Sequence, residues 1–195
     1  MLSRFVFLIV LLLWVSASIA LAQQQKKADT LAFSSYNVIY DYTLNIPVYV
    51  CWNVSSHDLG NVKRNSGWRF KQDSRLQKPR VSTADYRLSG YQRGHMCPAA
   101  DRSYSKEAMK ETFTTANICP QAPSLNVGAW KQTEDQTRQL ATILGKVHVK
   151  CAPIFTHADT TRIGKHRVAV PHGFIKVVYL ADSITPIFCR LFTNE

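Results

Sequence analysis

The chain predicts an α+β fold, with strand patterns near both ends and helix patterns between them. Tyr36 to Leu44 alternates apolar and polar residues, and Pro47 to Val54 is rich in β-branched and aromatic side chains, so two strands meet at Asn45-Ile46. Helix signals follow at Ser105 and Ser124. Val147 to Ala152, Gly173 to Leu180 and Ile187 to Phe192 then read as further strands.

Taken in order, Met1 to Ala22 has the pattern of a secretory signal peptide: Arg4, an apolar run from Phe5 to Val15, and Ala20-Leu21-Ala22 as cleavage site. That predicts a secreted or periplasmic product with no stable membrane insertion after cleavage. Residues 23–35 are polar and are expected to form a flexible arm, leaving 36–195 as one domain. Pro47 at a strand start is tolerated because an opening position need not donate to the ladder. From Ser56 to Gly90 the pattern lapses, and a long surface loop is expected, with Lys63, Arg64, Arg69, Lys71, Arg75, Lys78 and Arg80 among its cations. Trp68 and Phe70 lie among them, suited either to stacking on bases or to anchoring the loop.

Ser105 can cap a helix whose first turn carries Glu107, with Met109 and Phe113 on its core side. Pro120-Gln121-Ala122-Pro123 makes a rigid connection, and Ser124 is the expected cap of a helix running to about Leu144 and stopped by Gly145. On one continuous helix Asn126, Trp130 and Glu134 would share a face, where an amide oxygen and a carboxylate can address one small hydrated cation.

A formal net charge of +11 over 195 residues points to polyanionic partners, with nucleic acid first among them. Five cysteines in an exported chain point to disulfides with one thiol left over. Cys97 and Cys119 lie close to two of the motifs below, so a Cys97–Cys119 bridge is the favoured pairing.

The chemistry concentrates in Gln92-Arg93-Gly94-His95, then Asn117-Ile118-Cys119-Pro120-Gln121, then Leu125-Asn126 followed by Trp130 and Glu134. A neutral histidine beside fixed cations suits general-base work on an anionic substrate. In this order and spacing the motifs resemble those of the DNA/RNA non-specific endonucleases, the ββα-metal or His-Me finger nucleases, from about Val38 to the C-terminus. The resemblance implies a mixed or antiparallel central sheet flanked by helices. It implies a metal-dependent, sugar-non-specific endonuclease that hydrolyses phosphodiester bonds of DNA and RNA through the phosphate backbone. His95 would activate water as general base. Asn126 would hold Mg2+ directly (Mn2+ possible in its place), stabilising the phosphorane and the leaving 3′-oxygen, with Glu134 reaching the ion through water. Arg93 and Arg69 would grip phosphate, with Arg64 as the other candidate, and Asn117 would position the His95 loop.

Two departures stand out. Gln92 replaces the family's aspartate, and the family continues past Asn194-Glu195 into another strand and a helix, so a C-terminal part is expected to be missing. The alternative is a catalytically impaired nucleic-acid-binding module of the same fold. A zinc site from His95, Cys97, Cys119, His148 and Cys151 is a weaker reading, because paired Cys-x-x-Cys clusters are absent from the sequence. Oligomeric state, biological purpose and DNA-versus-RNA preference are not encoded in these motifs.

Overall fold

Alternation of buried and exposed side chains builds the main layer. The computed structural model describes residues 27–60, 62–156 and 161–195, so the expected leader at residues 1–22 lies outside the described residues. Strands β1 (Ala28–Ala32), β2 (Tyr36–Asp41) and β3 (Ile46–Ser55) precede the short β4 (Gln92–His95) and β5 (Ile118–Gln121). Then come β6 (Lys146–Ile154), β7 (Arg162–Ile163), β8 (Val168–Ala169), β9 (Gly173–Leu180) and β10 (Pro186–Thr193). Six of them form an antiparallel sheet in the order β1-β2-β3-β6-β9-β10. Val38 and Tyr40, Val50 and Trp52, Val147 and Val149, and Phe174 and Val178 turn into the core from successive strands. The α+β class and the antiparallel sheet are as expected.

Three helices complete the described chain: α1 (Lys106–Glu111), α2 (Pro123–Val127) and α3 (Ala129–Leu144). Ser105 caps α1, its side chain accepting the Ala108 N–H at 3.0 Å. Helix α3 lies across the sheet with Trp130, Thr133, Thr137 and Ala141 buried. Trp130 meets Phe174 and Phe192 of the sheet at ring-centroid distances of 5.4 and 5.2 Å. β4 and β5 pair antiparallel as a separate ribbon running into α2 and α3, which gives the ββα arrangement.

Several expectations need correction. Residues 28–32, expected in a flexible arm, form β1, because Leu31 is buried and Tyr42 donates to Asp29 at 2.6 Å. The helix expected from Ser124 to Leu144 breaks at Gly128, whose φ and ψ of −99° and −115° are not helical. A Cβ there would sit 2.4 Å from the Ser124 carbonyl oxygen, so the break requires glycine. The 56–90 segment is less superficial than its polarity suggests: Leu76, Val81 and Tyr86 are buried. The Cys97–Cys119 bridge is not formed, and all five cysteines are free thiols. Ladder pairing sets Gly94, not Cys97, opposite Cys119, whose thiol turns to the Pro47 carbonyl.

Phe174 is fully buried where β9 meets Trp130. Phe174→Ala is expected to destabilise the fold by about 3–5 kcal/mol in urea unfolding, the range for deleting a buried phenyl group.

Candidate active site

The β4–β5 ribbon, α2 and the start of α3 wall a pocket of about 1100 Å³. His95, Arg93, Arg64, Asn126 and Glu134 all line it, together with Gln92, Phe70, Lys131 and Arg138. Residues widely separated in sequence are thus brought to one cavity.

His95 ends β4 and pairs with Ile118. Its carbonyl accepts the Trp130 indole N–H at 3.2 Å, which ties the ribbon to α3. Its ring packs against Phe70 and Phe113, with centroids 4.8 and 5.1 Å away. Nε2 is enclosed and has no hydrogen-bond partner. Burial, reinforced by the Arg64 charge, pushes the imidazole down to about 3, so it is neutral at physiological pH.

Gly94 is needed for space. A Cβ on it would lie 2.1 Å from Oε1 of the buried Gln121, so the ribbon closes only over glycine. Behind it, the fully buried Asn117 fastens the loop. Its side-chain oxygen accepts the Cys97 N–H at 2.9 Å, and its amide donates to the Cys97 and Thr112 carbonyls at 2.9 and 3.1 Å. Asn117 does not line the pocket; it acts on the His95 loop from the rear.

Asn126 donates through Nδ2 to the Gln92 side-chain oxygen at 2.6 Å. The residue that departs from the aspartate pattern therefore still orients Asn126, by an amide hydrogen bond, and leaves Asn126 Oδ1 available as a ligand. Glu134 is pushed up to about 7, mainly by burial, with Asp101 and Asp135 acting in the same direction and Lys176 and Arg138 opposing. The buried Lys176 ammonium lies 3.9 Å from Glu134 and 3.7 Å from the centre of the Trp130 ring. One amide oxygen and one carboxylate are oxygen donors of the kind that suit a hard, largely hydrated divalent ion. Among the described residues no group of three or more His, Cys, Asp and Glu is gathered, and the five residues of the zinc reading are not assembled.

The two candidate arginines separate. Arg64 lines the pocket, with its guanidinium 5.0 Å from the Phe113 ring centre. Arg69 lies outside the lining, exposed, its guanidinium donating to the Ser66 and Trp68 carbonyls. Phe70 and Trp68 pack on Phe113, which favours anchoring of the loop over base stacking. Arg138, which no sequence motif singles out, also lines the pocket, with Asp101 Oδ1 at 2.7 Å and Trp52 held by the other oxygen of that carboxylate.

Asn117→Ala leaves three buried peptide groups without their partner and is expected to cost about 2–4 kcal/mol in urea unfolding. A second expectation concerns acid. An imidazole of about 3 in the folded state and an ordinary value in the unfolded state binds fewer protons when folded. Its contribution is therefore fully present above about pH 6.5 and is lost progressively as pH falls towards 3. His95→Phe should abolish this part of the acid loss, so wild type should lose more stability than the variant between pH 7 and pH 4.5.

Comparison with known proteins agrees with this geometry. A family model described as DNA/RNA non-specific endonuclease matches residues 18–188. Mitochondrial endonuclease G of Bos taurus is 35% identical over 157 residues, covering 75% of this chain and 52% of the relative. Mitochondrial nuclease 1 of Schizosaccharomyces pombe is 33% identical over 172 residues, covering 82% and 53%. The chain spans about half the length of these curated relatives. A chain in the crystal structure of the EndoG/EndoGI complex shares the fold with a TM-score of 0.78 at 27% identity, covering 85% of this chain and 74% of that one. The named relatives are mitochondrial nucleases, which overturns the secreted or periplasmic address expected from residues 1–22. On the extent of the family match, the identities and the shared fold, this chain belongs to the DNA/RNA non-specific endonuclease family.

Proposed function

We propose that the chain is a divalent-metal-dependent endonuclease that hydrolyses phosphodiester bonds of both DNA and RNA. The observation that carries this reading is the enclosed, unpartnered Nε2 of His95 in one pocket with Arg64, Arg93, Asn126 and Glu134. A buried polar nitrogen without a partner calls for one from the ligand. Water between Nε2 and a phosphate meets that requirement.

His95 takes the proton from the attacking water at Nε2. In the free protein its basicity is suppressed by burial and by Arg64. An incoming phosphate carries negative charge to the imidazole and neutralises Arg64, so proton uptake becomes favourable as substrate seats. Trp130 holds the His95 backbone through its carbonyl. Arg93 and Arg64 hold phosphate oxygens through charge-assisted hydrogen bonds. Asn126 would hold Mg2+ (or Mn2+) through Oδ1, and Glu134 would address it through water. That ion, when bound, supplies Lewis-acid charge at the scissile phosphate and the leaving 3′-oxygen. Because these contacts address phosphate and ion, base and sugar identity matter little.

The purified chain should cut plasmid DNA and RNA with Mg2+ and stop on addition of EDTA. His95→Ala should lower the rate by about 100-fold or more while retaining duplex affinity; cutting at the wild-type rate would overturn the assignment. Asn126→Ala should raise the Mg2+ concentration needed for half-maximal rate by about 10-fold or more. An unchanged Mg2+ titration would remove Asn126 as the ligand. Saturable binding of nucleic acid by the wild type with no cutting in any divalent metal would favour the impaired binding module.

A further inference from the structure

A second pocket, of about 560 Å³, is linked to the catalytic pocket through the helical turn Thr83–Tyr86. Thr83, Ala84, Tyr86 and Arg87 line the catalytic pocket. Asp85, from the same turn, contacts His166 of the second pocket.

Arg162, Lys165, His166 and Arg167 line the second pocket. Arg162 donates through Nη1 to the Thr43 and Arg167 carbonyls at 2.9 and 3.0 Å, which fixes the guanidinium and leaves its other N–H groups for a ligand. His166 is set by Asp85, whose carboxylate oxygens lie 2.8 and 3.0 Å from Nδ1, so Nε2 is the ring nitrogen left to meet a ligand. The Asn45 amide donates to the His166 carbonyl at 2.9 Å and braces the same loop. Lys165 and Arg167 complete the lining and are exposed. Among the described residues no carboxylate lines this pocket; Asp85, behind His166, is buried and already accepts from the Ser82 and His166 backbone N–H groups. Arg167 has a φ of +50°, a region that favours glycine or asparagine.

We infer that this pocket is a second phosphate subsite, taking a backbone phosphate of the nucleic acid whose scissile bond lies at His95. The inference rests on the nuclease reading for its ligand. Arg87, next to the turn that carries Asp85, lines the catalytic pocket.

The test uses the double variant Lys165→Ala/Arg167→Asn, the second change chosen to tolerate the left-handed backbone. Affinity for a 20-base-pair duplex is measured in EDTA across a salt series, alongside hydrolysis of a dinucleotide too short to reach the subsite. The expected result is duplex affinity at least about 10-fold lower, a salt slope reduced by about 1 to 2, and dinucleotide hydrolysis unchanged. A duplex affinity and salt slope equal to wild type would overturn the subsite. Calorimetry with inorganic phosphate separates the other source: saturable binding lost in the variant, with an unchanged duplex slope, would reassign the pocket to a small anion and overturn the nucleic-acid subsite. A wild type that binds duplex with the steeper slope yet never cuts would overturn the nuclease reading and leave the subsite standing.

Discussion

The site depends on one buried amide. Asn117 holds both backbone groups of Cys97 and the end of α1 with its side chain, and its own carbonyl accepts the Met96 N–H at 2.9 Å. Four hydrogen bonds in a fully buried region fix the segment that leaves His95, and buried peptide groups have no solvent alternative. With the exit fixed from behind and the His95 carbonyl fixed by Trp130 in front, the imidazole is positioned by its backbone on both sides. A side chain that must exchange a proton then needs no hydrogen bond of its own to stay in place, and Nε2 remains free.

Beneath this the electrostatics are deliberately unbalanced. Lys176 is 1% exposed, rests on the Trp130 ring and has no hydrogen-bond acceptor, while Glu134 stands 3.9 Å away and is still pushed up to about 7. Desolvation therefore outweighs the attraction of the nearby ammonium, as expected when two charges are buried without close contact. In the proposed function a divalent cation near Glu134 would favour the ionised carboxylate and reverse that balance, and an anion at His95 would likewise favour the imidazolium that burial and Arg64 disfavour.

Legibility followed physical range. Local rules identified the α1 cap at Ser105 and the alternating strands, because these depend on neighbouring residues, whereas Arg93, His95 and Asn126 were singled out by the resemblance of three linked motifs to a known family. The break at Gly128 was hidden because the Asn126, Trp130 and Glu134 spacing is helical, while the need for glycine arises only when the Ser124 carbonyl approaches. β1 was hidden because a polar edge strand has a weak apolar signal and is fixed by pairing with β2. The separation of Arg64 from Arg69 is set by how a loop folds back over Phe113, a contact across dozens of residues. The paired cysteines looked plausible by proximity in sequence, but strand register, which no single segment encodes, set them against other partners.

The basic character of the chain is organised from the inside. Three buried carboxylates each fix a cationic or ionisable partner: Asp73 grips Arg75 through both oxygens, Asp85 holds His166, and Asp101 holds Arg138. Burial alone would raise Asp73 and Asp85, yet N–H donors more than offset it and hold both below the usual carboxylate range. A cation anchored this way keeps its charge while losing the freedom to swing into solvent, so binding an anion costs less side-chain entropy. Arg75 fastens the 56–90 segment to β1 through the Ala32 carbonyl, Arg138 lines the catalytic pocket, and His166 faces the second one. Part of the net charge of +11 is thus arranged on a scaffold of buried acids, so that a polyanion of the kind the proposed function requires would meet charges already fixed in place.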